Sequence, residues 1–387
     1  MAVTNRAGRY VQQIAGYKAF IPANVPPDPP IHFDVETTKL LSDADRALGR
    51  LDGVASVLPN PDLFVAMYVR HEAVLSSQIE GTQSTLEDVL EFEAEGSNAD
   101  EIKDVDEVVN YVAAMKHGLA RLPTLPLSLR LLREIHAELL KGVRGEERQP
   151  GEFRTTQNWI GPSGCTLNQA EFVPPPPHEM QKALANLEKF LHERNALPVL
   201  VHCAVAHAQF ETIHPFLDGN GRVGRLLITL LLCERTVLQK PLLYLSYYLK
   251  SRRAEYYDRL MAIRTNGDWE GWIKFFLKGV FEVSKVSTMT ARAILDLRER
   301  FRSQLTDRSN ALRLLDHLFE SPIITMRSAE RHLGCSYVTA TRVVGELEDV
   351  GVLVEATGRS RNRRYRFKPY LELFEQQANP PGAADGE

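Results

Sequence analysis

The chain has 387 residues, of which 44% are hydrophobic and 25% charged, a composition typical of a soluble globular protein and unlike that of a disordered chain. Its net charge of −4 gives no overall reason to expect a protein that binds nucleic acid or membrane surfaces, although it leaves room for a local basic patch. No apolar run approaches the roughly 20 residues that cross a bilayer, and the N-terminus lacks the apolar core of a secretory signal, so a cytoplasmic protein without membrane contact is expected.

The first third of the chain is predicted to be mainly helical after an extended start. Residues 22–30, PANVPPDPP, contain too many prolines for a helix or a central strand, so an extended lead-in is expected. From about Thr37 onward apolar residues recur at spacings of three and four, the pattern of amphipathic helices. The predicted helices are 37–57, 62–77, 84–95, 100–120 and 126–142.

Residues 144–177 interrupt the helical pattern and are rich in Gly, Pro, Asn and Gln. They predict a long loop with a short hairpin between Trp159 and Phe172. A loop longer than about 15 residues inside a compact domain is usually functional or disordered, and the aromatic and turn residues here favour a functional one. Helices are predicted again at 178–194, 198–213, 220–238, 251–266 and 269–302.

The C-terminal part has the element order of a winged helix-turn-helix. Three short helices are predicted at 309–320, 325–333 and 336–350, followed by two short strands on either side of a basic turn. Residues 327–368 carry nine basic and five acidic residues, and five of the basic ones crowd the turn: Arg359, Arg361, Arg363, Arg364 and Arg366. Such a unit binds the DNA backbone in some proteins and serves as a protein-docking or dimer module in others, so both roles stay open. Residues 375–387 are predicted to be disordered.

The most informative segment is HPFLDGNGRVGR, which lies between two strongly apolar helices. A loop that ends at a helix N-terminus presents free backbone N–H groups, and Gly219 and Gly221 let that backbone approach a ligand closely. This arrangement favours the binding of phosphate. Arg222 and Arg225 are three residues apart in the first turn of the second helix, so both can face the same anion.

Two further residues of this segment indicate chemistry as well as binding. Asp218 beside a phosphate site is suited to Mg²⁺, which is usually held by one or two carboxylates plus phosphate oxygens. His214, at the rim, is the natural general base. A Gly-Asn-Gly turn or a single histidine is ordinary by itself, but a base, a carboxylate, two glycines and two arginines converge within 12 residues, which favours a functional site.

This segment matches in full the signature His-Pro-Phe-x-Asp-Gly-Asn-Gly-Arg-x-Gly-Arg of the Fic domain, and the chain therefore resembles Fic proteins. The runs GEFR, QNWIG, VPPPP, LSYYLK and GDWEGWIKFFLKGV are also similar to those of bacterial Fic proteins, so the resemblance covers most of residues 60–290. It implies a mainly α fold, the Fic helical bundle with a small β-hairpin flap, joined here to the C-terminal winged helix-turn-helix. It also implies a protein adenylyltransferase, which moves AMP from ATP to a Ser, Thr or Tyr hydroxyl of a protein target or of the chain itself.

The resemblance assigns a role to each residue of the signature. His214 would deprotonate the target hydroxyl, and Asp218 would hold Mg²⁺ between the α- and β-phosphates. Gly219, Asn220 and Gly221 would form the anion hole around the α-phosphate. Arg222 and Arg225 would bind the β- and γ-phosphates, and the adjoining Val223 and Gly224 also belong to the implied ATP-binding segment. Tyr256 and Tyr257 match a pair that borders the adenine pocket, and residues 164–173 match a flap that holds the target segment by strand addition.

A second motif indicates regulation. Residues Ser76 to Gly81, SSQIEG, fit the family's inhibitory pattern, in which a Ser or Thr is followed after three residues by Glu and then by Gly or Asn. In related proteins this glutamate pairs with the second arginine of the signature, and here the pair would be Glu80 with Arg225. A desolvated arginine–carboxylate pair competes with a triphosphate for the same guanidinium, so weak activity is expected.

The predicted plan is an N-terminal helical region over 1–110 that carries the inhibitory helix, a Fic catalytic domain over 111–302 and a winged helix over 305–370. A homodimer is expected. Two other functions stay open: removal of AMP from a modified protein, with Glu80 placing the water, and a DNA-binding regulator whose Fic domain senses a ligand. Phosphate transfer is disfavoured, because relatives that carry it out have a lysine where Gly221 stands.

Overall fold

Helices form most of the computed structural model, and two small antiparallel sheets come from its N- and C-terminal segments. The structure describes residues 4–56, 61–95, 104–162, 164–358 and 363–378. The prediction of a mainly helical fold is confirmed. Among the described helices, none combines the length and the apolar character needed to cross a membrane.

The helices that precede the long loop follow the predicted pattern closely. They are α1 (Val35–Ser56), α2 (Pro61–Ile79), α3 (Leu86–Glu95), α4 (Val105–Arg121) and α5 (Leu129–Leu139). The helix predicted from residue 100 begins at Val105, and residues 96–103 lie outside the described residues. The Ser128 hydroxyl accepts the Leu131 N–H at 3.4 Å and so caps the start of α5. The predicted boundary at residue 110 falls inside α4, and the division into domains stays a prediction.

Two helices that are buried on nearly every side form the centre of the molecule. The helices after the loop are α6 (Pro177–His192), α7 (Val199–Ile213), α8 (Asn220–Glu234), α9 (Ser246–Ser251), α10 (Arg253–Asn266) and α11 (Trp269–Gln304). Almost every residue of α7 and most residues of α8 are buried, and apolar residues therefore predominate in both sequences. The 36-residue helix α11 packs along α1 and also contacts α7.

A small N-terminal sheet, absent from the sequence-based prediction, supports the long loop. Strands β1 (Thr4–Asn5), β2 (Gly8–Gln12) and β3 (Lys18–Pro22) pair antiparallel in that order. The Phe20 N–H donates to the Val173 carbonyl at 2.9 Å, and the Phe20 ring lies 6.0 Å from that of Phe172. The predicted hairpin is present as one bridge, between Ile160 and Phe172. Strands this short show no clear alternation, and their support comes from distant parts of the chain.

The C-terminal unit contains the three predicted helices followed by the two predicted strands, and it adds a strand between the first two helices and a helix at the end. Its elements are α12 (Ser309–Leu318), β4 (Ile323–Thr325), α13 (Met326–Leu333), α14 (Tyr337–Asp349), β5 (Val354–Glu355), β6 (Arg364–Arg366) and α15 (Lys368–Ala378). The three strands form one antiparallel sheet in the order β4-β6-β5. The assignment of this unit as a winged helix stays a prediction.

Helix α15 is a correction to the predicted disordered tail. It runs to Ala378 and so includes residues 375–378, while residues 379–387 lie outside the described residues. Tyr370 and Phe374, four residues apart, are buried, and this apolar stripe stabilises the helix. The helix was not predicted because Pro369 near its start usually argues against a helix. Proline is nevertheless tolerated in the first helical turn.

Ion pairs join the C-terminal unit to α3. Arg364 Nη1 lies 3.1 Å from Glu91 Oε2, and Arg366 Nη2 lies 2.9 Å from Glu91 Oε1. Two of the basic residues predicted to meet a DNA backbone therefore bind a carboxylate within the chain. Two others, Arg359 and Arg361, lie outside the described residues. DNA binding stays a prediction.

Burial shifts the pKa of several ionisable groups in the core. The usual histidine pKa is 6.5, and burial lowers the pKa of His214 to about 3. Burial lowers the pKa to about 4 at four other histidines: His71, His136, His202 and His207. Two carboxyls shift in the other direction, because burial raises the pKa of Glu72 and of Glu211 from 4.5 to about 7. The histidines are thus neutral in the folded chain at a pH where the unfolded chain protonates them.

Acid is expected to destabilise the fold below about pH 6.5. Between roughly pH 6.5 and 4.5 the unfolded chain binds protons on these five histidines that the folded chain does not, and the raised pKa values of Glu72 and Glu211 act in the opposite direction. The excess favours unfolding as pH falls, by about 1.4 kcal/mol per proton and pH unit. The midpoint of urea unfolding should be lower at pH 5 than at pH 7, and an equal or higher midpoint at pH 5 would contradict the expectation.

Candidate active site

The signature loop joins α7 to α8 and is fixed by its own side chains. His214 follows α7 with a left-handed backbone, φ 50°, a conformation that costs a residue other than glycine about 1–3 kcal/mol. The Phe216 ring is fully buried and stacks on His136 at 3.8 Å. The Asn220 side chain bonds the backbone N–H and carbonyl of Phe216, each at 2.8 Å. Because that amide closes the loop, the part of Asn220 left for the implied anion hole is its backbone.

Two side chains from the long loop hold the same turn from outside. Arg154 is buried, and its guanidinium donates to the carbonyls of His214, at 2.9 Å, and Pro175, at 2.6 Å. Asn158 donates to the carbonyl of Phe216 at 2.8 Å. Both residues lie in runs, GEFR and QNWIG, whose similarity to Fic proteins was noted from the sequence. No role was predicted for either residue. Both position the histidine from a segment that precedes it by more than 50 residues.

The carboxylate of Glu80 lies in the anion cradle. Gly219 has a φ of 73° and α8 begins directly after it, so the first N–H groups of α8 face the cradle without helical partners. A Cβ built on Gly221 would collide with Oε1 of Glu80, so this carboxylate approaches the α8 backbone very closely. An anion of the protein itself thus lies where a helix N-terminus favours a phosphate.

Arg225 is bound by the SSQIEG segment, and the structure brings together the two residues that were paired from the sequence, Glu80 and Arg225. Its Nη2 donates to Glu80 Oε1 at 2.7 Å and to the Ser76 carbonyl at 3.0 Å, and its Nε donates to the Ser76 hydroxyl at 2.8 Å. Burial would raise the pKa of Glu80, but the charge of Arg225 lowers it overall. Burial would likewise lower the pKa of Arg225, and Glu80 raises it instead. Gly81, φ 102°, turns the chain immediately after the pair.

Arg222 is paired as well, with a carboxylate that the sequence analysis missed. Its Nη1 donates to Glu107 Oε2 at 2.8 Å, and both side chains are almost fully buried. Its Nη2 lies 3.6 Å from Asp218 Oδ1. Each signature arginine therefore pairs with a carboxylate from the segments that precede the long loop, Arg225 with Glu80 and Arg222 with Glu107.

Asp218 provides a partly open oxygen ligand beside the cradle. Its side chain is 40% exposed, and its Oδ1 accepts the Gly219 N–H at 2.5 Å. A hard oxygen donor that is open to solvent next to a phosphate cradle fits Mg²⁺, which keeps waters and phosphate oxygens around one or two carboxylates. No group of three or more His, Cys, Asp and Glu side chains suited to an ion occurs among the described residues.

The surroundings of His214 keep its ring in the neutral form. Burial lowers its pKa to about 3, and the charges of Arg264 and Arg154 lower it further, while Glu80 opposes them. The imidazole is therefore neutral at physiological pH, and one ring nitrogen has a free lone pair. A neutral histidine beside an anion cradle is the arrangement that a general base for a hydroxyl requires.

The predicted adenine-pocket residues have different environments. The Tyr256 hydroxyl lies 2.9 Å from His207 Nε2, and His207 Nδ1 lies 2.8 Å from the Gly224 carbonyl. Tyr256 is 1% exposed and belongs to the core, as does Val223 of the signature. Tyr257 is 38% exposed and is the one of the two tyrosines whose ring can contact a nucleotide. The adenine role of the pair stays a prediction.

A buried arginine that the sequence analysis missed connects the histidine to the flap. Arg264 Nη2 donates to the Glu211 carbonyl at 3.1 Å, and Nε donates to the Thr212 hydroxyl at 3.3 Å. Its guanidinium stacks over the Phe172 ring at 3.8 Å. The last turn of α7, directly before His214, is thus tied to the flap. No local pattern in α10 marks Arg264 for this role, because its partners come from two other segments.

Comparisons with known proteins identify the family to which these segments belong. Residues 38–120 match the family model described as Fic/DOC family N-terminal, and residues 126–232 match the one described as Fic/DOC family. The protein adenylyltransferase Fic of Drosophila grimshawi is 31% identical over 205 residues, 51% of this chain and 38% of that protein. The protein of the same name from Aedes aegypti is 31% identical over 203 residues, 50% of this chain and 35% of that protein.

The chain spans less than two fifths of the length of these two curated relatives, 38% and 35%. A crystal structure of a Fic family protein from Desulfovibrio desulfuricans superposes with a TM-score of 0.57 at 21% identity, over 87% of this chain and 97% of that one. This likeness shows that the two share a fold. The signature loop, with its histidine, its two paired arginines and its glycines, lies inside the matched residues 126–232. The chain is therefore a Fic-domain protein.

Proposed function

We propose that this chain is an autoinhibited, Mg²⁺-dependent protein adenylyltransferase. It moves AMP from ATP to the hydroxyl of a Ser, Thr or Tyr on a protein target or on the chain itself. The observation that supports this most strongly is the position of Glu80, which binds Arg225 directly over Gly221. A carboxylate occupies the place of a phosphate, next to a neutral histidine and an open aspartate.

The reaction requires a deprotonated hydroxyl and a stabilised α-phosphate. His214 takes the proton of the target hydroxyl, and the hydroxyl oxygen forms a bond to the α-phosphorus. The bond from that phosphorus to the oxygen that bridges to the β-phosphate breaks, and pyrophosphate leaves with the electron pair. Backbone N–H groups at the start of α8, including that of Gly221, stabilise the charge on the α-phosphate.

The charged side chains of the loop hold the remaining phosphates. Asp218 is the residue that would hold Mg²⁺, and the ion, when bound, neutralises charge on the phosphates. Arg222 binds the β-phosphate from a fixed position, because Glu107 holds its guanidinium. Arg225 becomes available to the γ-phosphate when Glu80 leaves it. Stabilisation of charge and positioning of the reactants thus account for the catalysis.

The proposal is tested by following the two ends of ATP separately. The Glu80→Gly variant is incubated with Mg²⁺ and ATP labelled either at the α- or at the γ-phosphorus, with candidate protein targets present. Adenylyl transfer leaves the α label on protein and releases the γ label as pyrophosphate. Retention of the γ label alone would show phosphate transfer instead, and retention of neither label would reject transfer from ATP.

Removal of AMP is the alternative reaction of the same site, and it differs in its need for Glu80. If Glu80 places the attacking water, an adenylylated protein should lose AMP faster with wild-type chain than with Glu80→Gly. Homodimer formation, contact with DNA and a cytoplasmic location stay predictions.

Replacing Gly221 with alanine in the Glu80→Gly background is expected to lower AMP transfer at least about tenfold. The added methyl group projects into the space where the Glu80 carboxylate lies and where the phosphate is proposed to bind. Alanine suits a helix, so the melting temperature should not fall. The measurement is kcat/KM for ATP. Gly345→Ala is the matched control, because Gly345 also lies in a helix, α14, and a Cβ there meets open space. Full activity of the Gly221→Ala variant would show that phosphate does not bind over Gly221.

A further inference from the structure

One buried carboxylate, Glu107 of α4, lies between two guanidinium groups. Its Oε2 accepts from Arg222 Nη1 at 2.8 Å, and its Oε1 lies 3.3 Å from Arg144 Nε. Arg144 belongs to the long loop, and the sequence analysis gave it no role. Two cations thus share one counter-ion at the edge of the phosphate site.

The two arginines differ in how firmly they are held. The Arg222 side chain is 2% exposed, whereas that of Arg144 is 66% exposed. Water surrounds most of the Arg144 side chain and weakens its pairing, and Glu107 keeps a second partner, so Arg144 can leave Glu107 at small cost. Arg222 cannot leave as easily, because separation would strand a buried charge. When Arg144 moves, Glu107 keeps Arg222 as its partner.

The backbone places Arg144 beside the proposed metal ligand. The next residue, Gly145, has a φ of 93°, and a Cβ built on it would lie 3.1 Å from Oδ2 of Asp218. Asp218 Oδ1 is in turn 3.6 Å from Arg222 Nη2. The loop that carries Arg144 therefore packs directly on the carboxylate that faces the phosphates. Arg225, by contrast, is held by Glu80.

We propose that Arg144 is a third phosphate-binding arginine of this site. It leaves Glu107 when a nucleotide enters and binds the β-phosphate on the Asp218 side, and it stays with that group in the departing pyrophosphate. This inference rests on the proposed function, because it takes ATP as the ligand. A planar guanidinium can bind two phosphate oxygens at once, which suits a group held between Asp218 and Arg222.

The test compares nucleotides with and without a β-phosphate. The dissociation constants of ATP, ADP and AMP are measured by calorimetry with Mg²⁺ on the full chain carrying Glu80→Gly. Adding Arg144→Ala should lower the affinity for ATP and for ADP by about tenfold. The affinity for AMP should not change, since AMP lacks the β-phosphate that Arg144 is proposed to bind. Arg144→Lys keeps the positive charge but loses the planar guanidinium, so its affinities for ATP and ADP should lie between those of the parent and of Arg144→Ala.

Arg148→Ala is the matched control. Arg148 lies in the same loop, is 57% exposed and pairs with the carboxylate of Glu147 at 3.3 Å. It should leave all three dissociation constants unchanged. The proposal is overturned if the Arg144→Ala variant binds ATP as tightly as its parent does. It is also overturned if the substitution lowers the affinity for AMP as much as the affinity for ATP. Failure of the Glu80→Gly parent to bind ATP would instead overturn the proposed function.

Discussion

Replacing Glu80 with glycine is expected to raise the rate of AMP transfer from ATP by about 10- to 100-fold. In the resting chain Arg225 is bound by Glu80 at 2.7 Å and by the Ser76 hydroxyl at 2.8 Å, so a γ-phosphate has to displace a carboxylate. A hydrogen bond to a charged group is worth about 1.5–3 kcal/mol, and every 1.4 kcal/mol is a factor of ten. Loss of the competitor therefore gives a gain of that size.

The control for this variant is Glu93→Ala. Glu93 also pairs with an arginine, Arg70, at 2.8 Å, but it lies on α3. Its removal changes the net charge by the same amount as removal of Glu80. Incorporation of AMP per unit time is compared for the wild type and both variants. Equal rates for the wild type and Glu80→Gly, or an equal gain in Glu93→Ala, would contradict the assignment of Glu80 as the inhibitory residue.

The position of Glu80 depends on how firmly α2 is held. Glu72, in the same helix, accepts the Ser246 N–H at 3.0 Å and the Ser246 hydroxyl at 2.5 Å. At the end of the helix, Arg253 donates to the Ile79 carbonyl at 3.1 Å. Helix α2 is thus tied to α9 and α10. The Glu80 side chain lies just beyond the end of α2 and is 33% exposed. It can therefore move away from Arg225 while the contacts that hold α2 stay in place.

The parts of the site that lie close together in the chain could be predicted from the sequence. His214, Asp218 and the two arginines occupy one short run, and their chemistry follows from their residue types and from the helix that begins after Gly219. The pairing of Glu80 with Arg225 is different, because nothing in the spacing of two residues 145 positions apart indicates contact. That pair was predicted through the resemblance alone, and the structure brings the two side chains together.

The missed residues share a physical reason. Glu107, Arg154 and Arg264 lie on elements with ordinary helical or loop patterns, and each acquires its role only when helices pack. A buried charged residue shows in a sequence as one more polar position, since burial is decided by tertiary contacts. The N-terminal sheet was missed for the same reason, because β3 is stabilised by a segment of the loop that follows much later.

Replacing His214 with alanine in the Glu80→Gly background is expected to lower AMP transfer by about 10²- to 10⁴-fold, the usual contribution of a general base. The affinity for ATP should change by less than about twofold, because the cradle, Asp218 and both arginines are left in place. Since burial lowers the pKa of His214 to about 3, the base is already deprotonated from pH 5 upward. The pH dependence of kcat/KM, which reports the free enzyme, should therefore show no step near the usual histidine pKa of 6.5.

A companion variant separates the base from the backbone that carries it. His214 has a φ of 50°, so alanine there could disturb the loop, whereas asparagine tolerates this conformation. His214→Asn should lose transfer as fully as His214→Ala while keeping the melting temperature and ATP affinity of its parent. His178→Ala, which removes a histidine that is 70% exposed on α6, should keep full activity. Substantial transfer by His214→Asn would mean that another group accepts the hydroxyl proton, and loss of ATP binding in both variants would mean that the ring supports the cradle instead.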